Sequence, residues 1–296
     1  MSSVNINGIS IEYETFGNPS DRPLLLIIGL GIQMIHWDNE LCQDLSKNEH
    51  FVIRFDNRDA GLSTKFDEAG VPNPMEVIGK LRQREKITPP YTLGDMADDS
   101  VGLLDALGIQ KAHVCGMSMG GMIAQTIAIR HPSRTACLTS IYATTGNPKV
   151  PGPTPEVFGL LVTPPPIERE AFIEHQLRLF KTLTGPGFPM DEQWTREIIV
   201  ESYDRCFYPP GMARQLVAIL AQENRVPALS KVTAPTLVIH GTSDLLVPLE
   251  GGKDTAEAIP GAQLILIEGM GHDLPHGGAW PRIGEAIAAH TRKASV

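Results

Sequence analysis

Apolar and polar residues alternate over positions 4–16 around the pair Asn7 and Gly8. An Asn-Gly pair flanked by alternating residues predicts two strands joined by a tight turn whose central residues take positive φ. Beyond it the alternation gives way to runs that are largely apolar and do not alternate: LLLII over 24–28, FVIRF over 51–55, KAHVC over 111–115, residues 135–141, PTLVIH over 235–240 and QLILIE over 263–268. Strands without a polar side suit a central sheet covered on both faces. Helical patterns lie between them, over 37–46, 93–107, 119–130, 252–259 and 280–291, the second with Thr92 as N-cap and Gly108 as C-cap. Strand and helix alternation in this order predicts the α/β class: a mostly parallel, doubly wound sheet with an N-terminal antiparallel hairpin.

One stretch breaks the rhythm. Residues 145–226 contain no apolar strand; a proline-rich entry leads into helical patterns over 167–183, 190–207 and 210–224. The chain is therefore expected to divide into a core domain, 1–144 with 227–296, and a helical cap (lid) inserted at 145–226 after the sixth strand. Three surface helices with no lid role are the alternative.

Composition narrows the class. The chain has 296 residues, 42% hydrophobic and 20% charged, enough to bury a large core. A net charge of -9 disfavours nucleic acid and anionic membranes as partners, since both attract basic patches. No basic leader precedes an apolar segment at the N-terminus and no run of 18 apolar residues occurs, so a cytoplasmic location without a membrane span is expected. Cys42, Cys115, Cys137 and Cys206 are widely spaced, without a CxxC pair, and read as reduced core residues. Neither HExxH, nor GxxxxGKS/T, nor a dinucleotide fingerprint occurs, so no metal or organic cofactor is expected.

Candidate chemistry begins at VCGMSMGGM over 114–122, which fits G-x-S-x-G around Ser118 directly between a strand and a helix pattern. Glycines two before and two after the serine remove side chains that would clash in a sharp strand-to-helix turn. A glycine-rich turn without chemistry is the alternative. A serine needs an imidazole to take its proton and a carboxylate to hold that imidazole, and in open parallel sheets active groups gather beyond the carboxyl ends of strands. After PTLVIH comes GTSDLLVP with Asp244; after QLILIE comes GMGHDLP with His272. The chain order Ser118, Asp244, His272 is nucleophile, acid, base. Two backbone N–H groups are assigned to an oxyanion hole: Met119, which follows the nucleophile, and Leu30, in the Gly29-Leu30-Gly31 turn after LLLII.

The remaining histidines have duller readings. His113 sits on the strand before Ser118, His131 ends a helix, His240 ends a strand as a structural hydrogen bonder, and His50, His175 and His290 read as surface positions. His36 and His276 are candidate pocket residues, and Asp273 is read as a loop hydrogen bonder pointing away from the site. Met34, Met117, Met119, Met122 and Met270 cluster in sequence near the site, either as an adaptable apolar pocket or as core filler.

With GMSMGG, HGTSDLLVP, GMGH and RFDNRDAGLS (54–63) on the page, the chain resembles the α/β-hydrolase superfamily over nearly its whole length. It is similar to capped bacterial carboxylesterases with a GxSMGG elbow, and more closely to the anthracycline methylesterase-like group. The resemblance implies structural roles for Asp56 and Arg58. Ile28 stands where many members carry the histidine of a His-Gly pair before the oxyanion residue, which removes a side chain that often braces that loop. The implied activity is hydrolysis of small to medium, uncharged carboxylic esters through an acyl-enzyme, with a small-molecule ester as partner and both a monomer and a homo-oligomer left open. A lactonase or carbon–carbon bond hydrolase with the same triad, a perhydrolase side activity and a low-turnover ligand receptor are the alternatives.

Overall fold

The computed structural model describes residues 1–273, 276 and 278–294. Among these, eight strands make one sheet: β1 (Ser2–Ile6), β2 (Ile9–Phe16), β3 (Arg22–Ile27), β4 (His50–Phe55), β5 (Ala112–Met117), β6 (Thr135–Ile141), β7 (Thr236–Gly241) and β8 (Gln263–Ile267). Their spatial order is β1-β2-β4-β3-β5-β6-β7-β8. The hairpin β1–β2 and the β2–β4 pair are antiparallel, and every pair from β4 to β8 is parallel. At the hairpin turn Asn7 has φ 46° and Gly8 φ 80°, as the Asn-Gly pair predicts.

The helices are α1 (Asn39–Lys47), α2 (Pro74–Arg82), α3 (Leu93–Ala106), α4 (Met119–Arg130), α5 (Pro155–Val162), α6 (Arg169–Leu183), α7 (Glu192–Arg205), α8 (Pro209–Leu220), α9 (Val226–Leu229), α10 (Leu249–Ala258) and α11 (Trp280–Thr291). Leu25 and Ile27 of β3 pack into one core with α3, α4, α9 and α10. Leu24, Leu26 and Ile28 pack into the other with α1 and α11. Both faces of the strand are dry, which is why LLLII carries no polar alternation; each such side chain contributes about 1.5–3 kcal/mol by burial. Among the described residues no helix is long and apolar enough to cross a membrane.

Between β6 and β7 the chain runs through α5 to α9 without a strand. The patterns over 167–183, 190–207 and 210–224 correspond to α6, α7 and α8. Helices α2 and α5 are additions to the sequence reading. Each opens on a proline, after Asn73 and Thr154, whose side chains accept hydrogen bonds from Met75 N and Val157 N. Proline clusters read as loop hide such starts.

Three histidines read as surface positions are buried instead. His50 is fully buried, with Nδ1 2.9 Å from Leu45 O and Nε2 2.7 Å from Thr291 Oγ1; His175 and His290 are buried as well. Their burial comes from contacts far along the chain, which local polarity does not register.

Candidate active site

Ser118 follows the last residue of β5 and precedes the first of α4, at φ 54° and ψ −122°. For a residue with a Cβ this backbone costs about 1–3 kcal/mol and survives only where its surroundings leave no alternative. Here they do so by contact. A Cβ on Gly116 would drive into the Gly120 carbonyl, and one on Gly120 into the Ile27 carbonyl. The two glycines of the motif therefore let strand, turn and helix close on one another. Ser118 N donates to Ile141 O at 2.9 Å, tying the turn to β6.

Two loops beyond neighbouring strands meet the serine. Past β7, Asp244 Oδ1 accepts from Leu246 N at 2.9 Å and Val247 N at 2.8 Å, which fixes the carboxylate. Its Oδ2 lies 2.7 Å from His272 Nδ1, and His272 Nε2 lies 2.9 Å from Ser118 Oγ. Asp244 and His272 are buried, so the chain of bonds runs in a low-dielectric setting where each is stronger than in water. The Tyr142 ring, centred 4.4 Å from that of His272, walls the imidazole in. His240 is 3.6 Å from the same Asp244 oxygen, but its Nε2 is 2.8 Å from Val247 O, and burial lowers its pKa, which keeps it neutral.

The Gly29-Leu30-Gly31 turn passes directly over the serine: a Cβ on Gly29 would stand 3.4 Å from Ser118 Cβ. Gly31 N is already used, donating to Gln215 Oε1 at 2.8 Å. Met119 opens α4, and the first amides of a helix have no partner within it. Leu30 and Met119 thus both border the serine.

Ser118, His272, Leu30 and Met117 lie on the wall of one cavity of about 430 Å³. Much of the rest of that wall comes from the segment between β6 and β7, including Phe158, Leu179, Phe180, Trp194, Met212 and Leu216. His36 and His276 are in the wall too. Burial lowers the His36 pKa to about 4, and its ring stacks on Phe180 with centroids 5.8 Å apart. His276 stacks on Trp194 of α7, 4.6 Å between centroids and 9° between planes. Of the methionines grouped in sequence, Met117 and Met122 line the cavity while Met34, Met119 and Met270 are buried in the packed clusters; Met190 and Met212 join the wall from the inserted helices. Asp273 departs from its sequence reading. It lies in the cavity wall, where burial raises its carboxyl to about 6. Leu274 and Pro275, the end of the GMGHDLP stretch, lie outside the described residues.

Several bonds moor the inserted helices. Arg214 of α8 grips Asp59 with both branches, Nε and Nη2 each 2.8 Å from a carboxylate oxygen, and both residues are buried. Arg205 of α7 reaches Asp56 Oδ2 at 2.7 Å, whose other oxygen accepts from Met34 N at 2.9 Å. Gln215 of α8 donates through Nε2 to Arg58 O at 2.8 Å, while the Arg58 side chain itself pairs with Asp99 of α3, within the core, at 2.6 Å. Past α6 the chain touches the loop carrying His272 backbone to backbone: His272 N donates to Leu183 O and Gly187 N to Gly269 O, both at 2.9 Å. A Cβ on Gly185 would strike the Gly269 carbonyl, and one on Gly271 the Leu183 carbonyl.

Among the described residues Asp38, Glu40 and His276 bring one ligand-type atom each within 4.8 Å of one another. Asp38 is spent as the N-cap of α1, accepting from Glu40 N.

A family model described as the alpha/beta hydrolase fold matches residues 22–279. The chain is 32% identical to a rhodomycin D methylesterase, DnrP, of Streptomyces peucetius over 97% of both chains. It is 31% identical to the rhodomycin D methylesterase DauP of Streptomyces sp. (strain C5), again over 97% of both. Among solved structures it is similar to a meta-cleavage product hydrolase of Pseudomonas fluorescens, with TM-score 0.74 at 22% identity over 100% of this chain and 98% of that one.

Proposed function

The chain belongs to the alpha/beta hydrolase fold family, and from that membership we propose a serine-dependent carboxylic ester hydrolase with Ser118, His272 and Asp244 as its catalytic triad. The observation that carries the reading is the unbroken relay at 2.9 Å and 2.7 Å from Ser118 Oγ through His272 to Asp244, opening onto a cavity. The two methylesterases that match over nearly full length are ester hydrolases by name. Ser118 attacks the ester carbonyl as His272 Nε2 takes its proton, and Asp244 accepts from Nδ1 to hold the ring in the required tautomer. The amides of Leu30 and Met119 donate to the oxygen that becomes negative, a contribution of about 3 kcal/mol per donor. His272 then protonates the leaving alcohol, and a water activated by the same ring releases the acid.

In this reading residues 145–226 form a cap over a core of 1–144 and 227–296, because they furnish a wall of the cavity and are moored to the core by ion pairs. A volume of about 430 Å³ suits small to medium ligands. Asp191 and Asp273 in the wall repel anionic substrates. Hydrolysis of a p-nitrophenyl ester series, acetate to long chains, by the wild type and Ser118→Ala tests both claims. Loss in the variant and preference for shorter chains are the outcomes consistent with them. Retained activity in Ser118→Ala overturns the nucleophile, and best activity on long triglycerides overturns the size limit. The same panel extended to a lactone and a vinylogous diketone separates the ester reading from lactonase and carbon–carbon hydrolase chemistry.

A further inference from the structure

Beside the cavity of Ser118 lies a second, smaller one of about 80 Å³. Six residues line both: Gly31, Ile32 and His36 from the core, Gln176 and Phe180 from α6, and Met212 from α8. One layer of residues therefore divides the two spaces. In that layer the His36 ring stacks on Phe180, with 5.8 Å between centroids and 12° between planes, and Met212 lies against Gly31.

The two leaves of the stack come from different parts of the chain. His36 ends the short helical turn Met34–His36 of the core, which is fixed where Met34 N donates to Asp56 Oδ1, and its own Nε2 lies 3.0 Å from Ser202 Oγ of α7. Burial lowers its pKa to about 4, so at neutral pH the ring meets Phe180 uncharged. Phe180 stands on an inserted helix, half-buried, one turn beyond Gln176. Behind the stack the wall is aromatic: Phe172, Tyr203 and Phe207 line the smaller cavity and touch one another, with centroids 4.6 to 5.4 Å apart. Two of its polar side chains are spent, Gln33 Nε2 on Ser202 O and Cys206 O, and Asp59 on Arg214.

Resting on the ester hydrolase reading, we propose that the stacked pair of His36 and Phe180 is a specificity-determining partition, which ends the substrate site on this side and shuts off a chamber suited to the distal alkyl or aromatic end of an ester. A water takes about 10–15 Å³ of such space, so the chamber holds a chain of a few carbons. Each methylene that enters raises kcat/KM by about fourfold through burial, whereas a charged end would lose its hydration there. Phe180 is the leaf that can be removed, since its side chain is held by packing alone, while the His36 ring is tied to Ser202.

The test runs two ester series, p-nitrophenyl acetate to dodecanoate for the acid side and ethyl to decyl acetate for the alcohol side. In the wild type each series has a chain length beyond which kcat/KM falls. In Phe180→Ala that limit moves out by at least two carbons in one series or both, with about fourfold gained per added methylene. Phe180→Leu, a milder change, moves it the same way by less and carries the test if the alanine variant does not fold. Adding Cys206→Phe, which fills the chamber from a small residue of its wall, takes the gain back. Cys206→Phe alone leaves the wild-type limit in place. An unchanged limit in both series overturns the proposal, as does an equal change at every chain length, the mark of a structural role. A gain that survives Cys206→Phe overturns it too, because it then comes from loosened helices rather than from the chamber. So does a shorter limit in Cys206→Phe alone, which means the partition already stands open. Wild-type turnover of p-nitrophenyl acetate keeps the two readings apart. Turnover with an unchanged limit in the variants removes the partition alone, and no turnover of any ester removes the ester reading.

Discussion

The turn around Ser118 and the helical wall facing it form one cavity but are held by different forces. At the turn, backbone meets backbone: Gly116 against Gly120 and Gly120 against Ile27 leave no room for a methyl group, and the strained φ of 54° at Ser118 is imposed by that packing. Across the cavity, the inserted helices are held largely by side chains, above all the buried pairs Arg214 with Asp59 and Arg205 with Asp56. Sterics of the first kind admit one solution, whereas side-chain mooring admits many. The turn of Ser118 is thereby rigid while the wall facing it is open to change.

The sharpest way to break this contrast is Gly120→Ala. A Cβ pressed into a main-chain carbonyl cannot be relieved by a rotamer change, so loss of folded protein is expected, a cost of at least about 4 kcal/mol read from urea denaturation. An alanine tolerated there would mean the turn is soft. Next is Ser118 itself. Ser118→Ala should lower ester turnover by about 10⁴-fold or more while leaving the unfolding midpoint nearly unchanged. Ser118→Gly should lose the same activity yet gain about 1 kcal/mol of stability by releasing the positive φ. On the opposite wall, Arg214→Leu strands a buried carboxylate, a loss of about 3–5 kcal/mol. If mooring is local, that loss appears as protease cleavage within 145–226 and a raised KM, with kcat on small esters less affected; cooperative unfolding of the whole chain instead would erase the distinction. Asp273→Asn should leave the fold intact and change only how stability varies with pH. A carboxyl at about 6 when folded and 3.8 otherwise weakens the folded state as pH rises from about 4 through 6, because the unfolded chain loses that proton first. The asparagine variant should therefore match the wild type near pH 4 and exceed it above pH 6, by up to about 3 kcal/mol, in thermal or urea unfolding.

What the sequence made legible follows the same division. Helix α4 spans Met119–Arg130 and β6 Thr135–Ile141, the bounds their apolar runs predict, and Ser118, Asp244 and His272 come together from three loops more than 100 residues apart in part. Strand ends are local signals, and in a parallel sheet all of these lie at one edge. Residues whose surroundings are assembled from afar leave little trace in the local sequence. His50 reads as a surface position, while its ring is buried against Thr291, 241 positions away. Asp273 reads as pointing away from the site, yet it lies in the cavity wall. Helix α5 is hidden in a run of prolines, although Thr154 and Pro155 are a sound helix start.

The glycine contact between the end of α6 and the loop of His272 bears on how such a protein could exchange its inserted helices for others. Leu183 and Gly187 bond to the very segment that carries His272, and neither Gly185 nor Gly271 has space for a side chain. A graft that replaced 145–226 wholesale would have to reproduce that glycine contact or displace His272. Recombination of new walls onto this scaffold is therefore confined to the inserted segment on the N-terminal side of Leu183 and to α7 and α8, with the short link between α6 and α7 inherited along with the loop of His272.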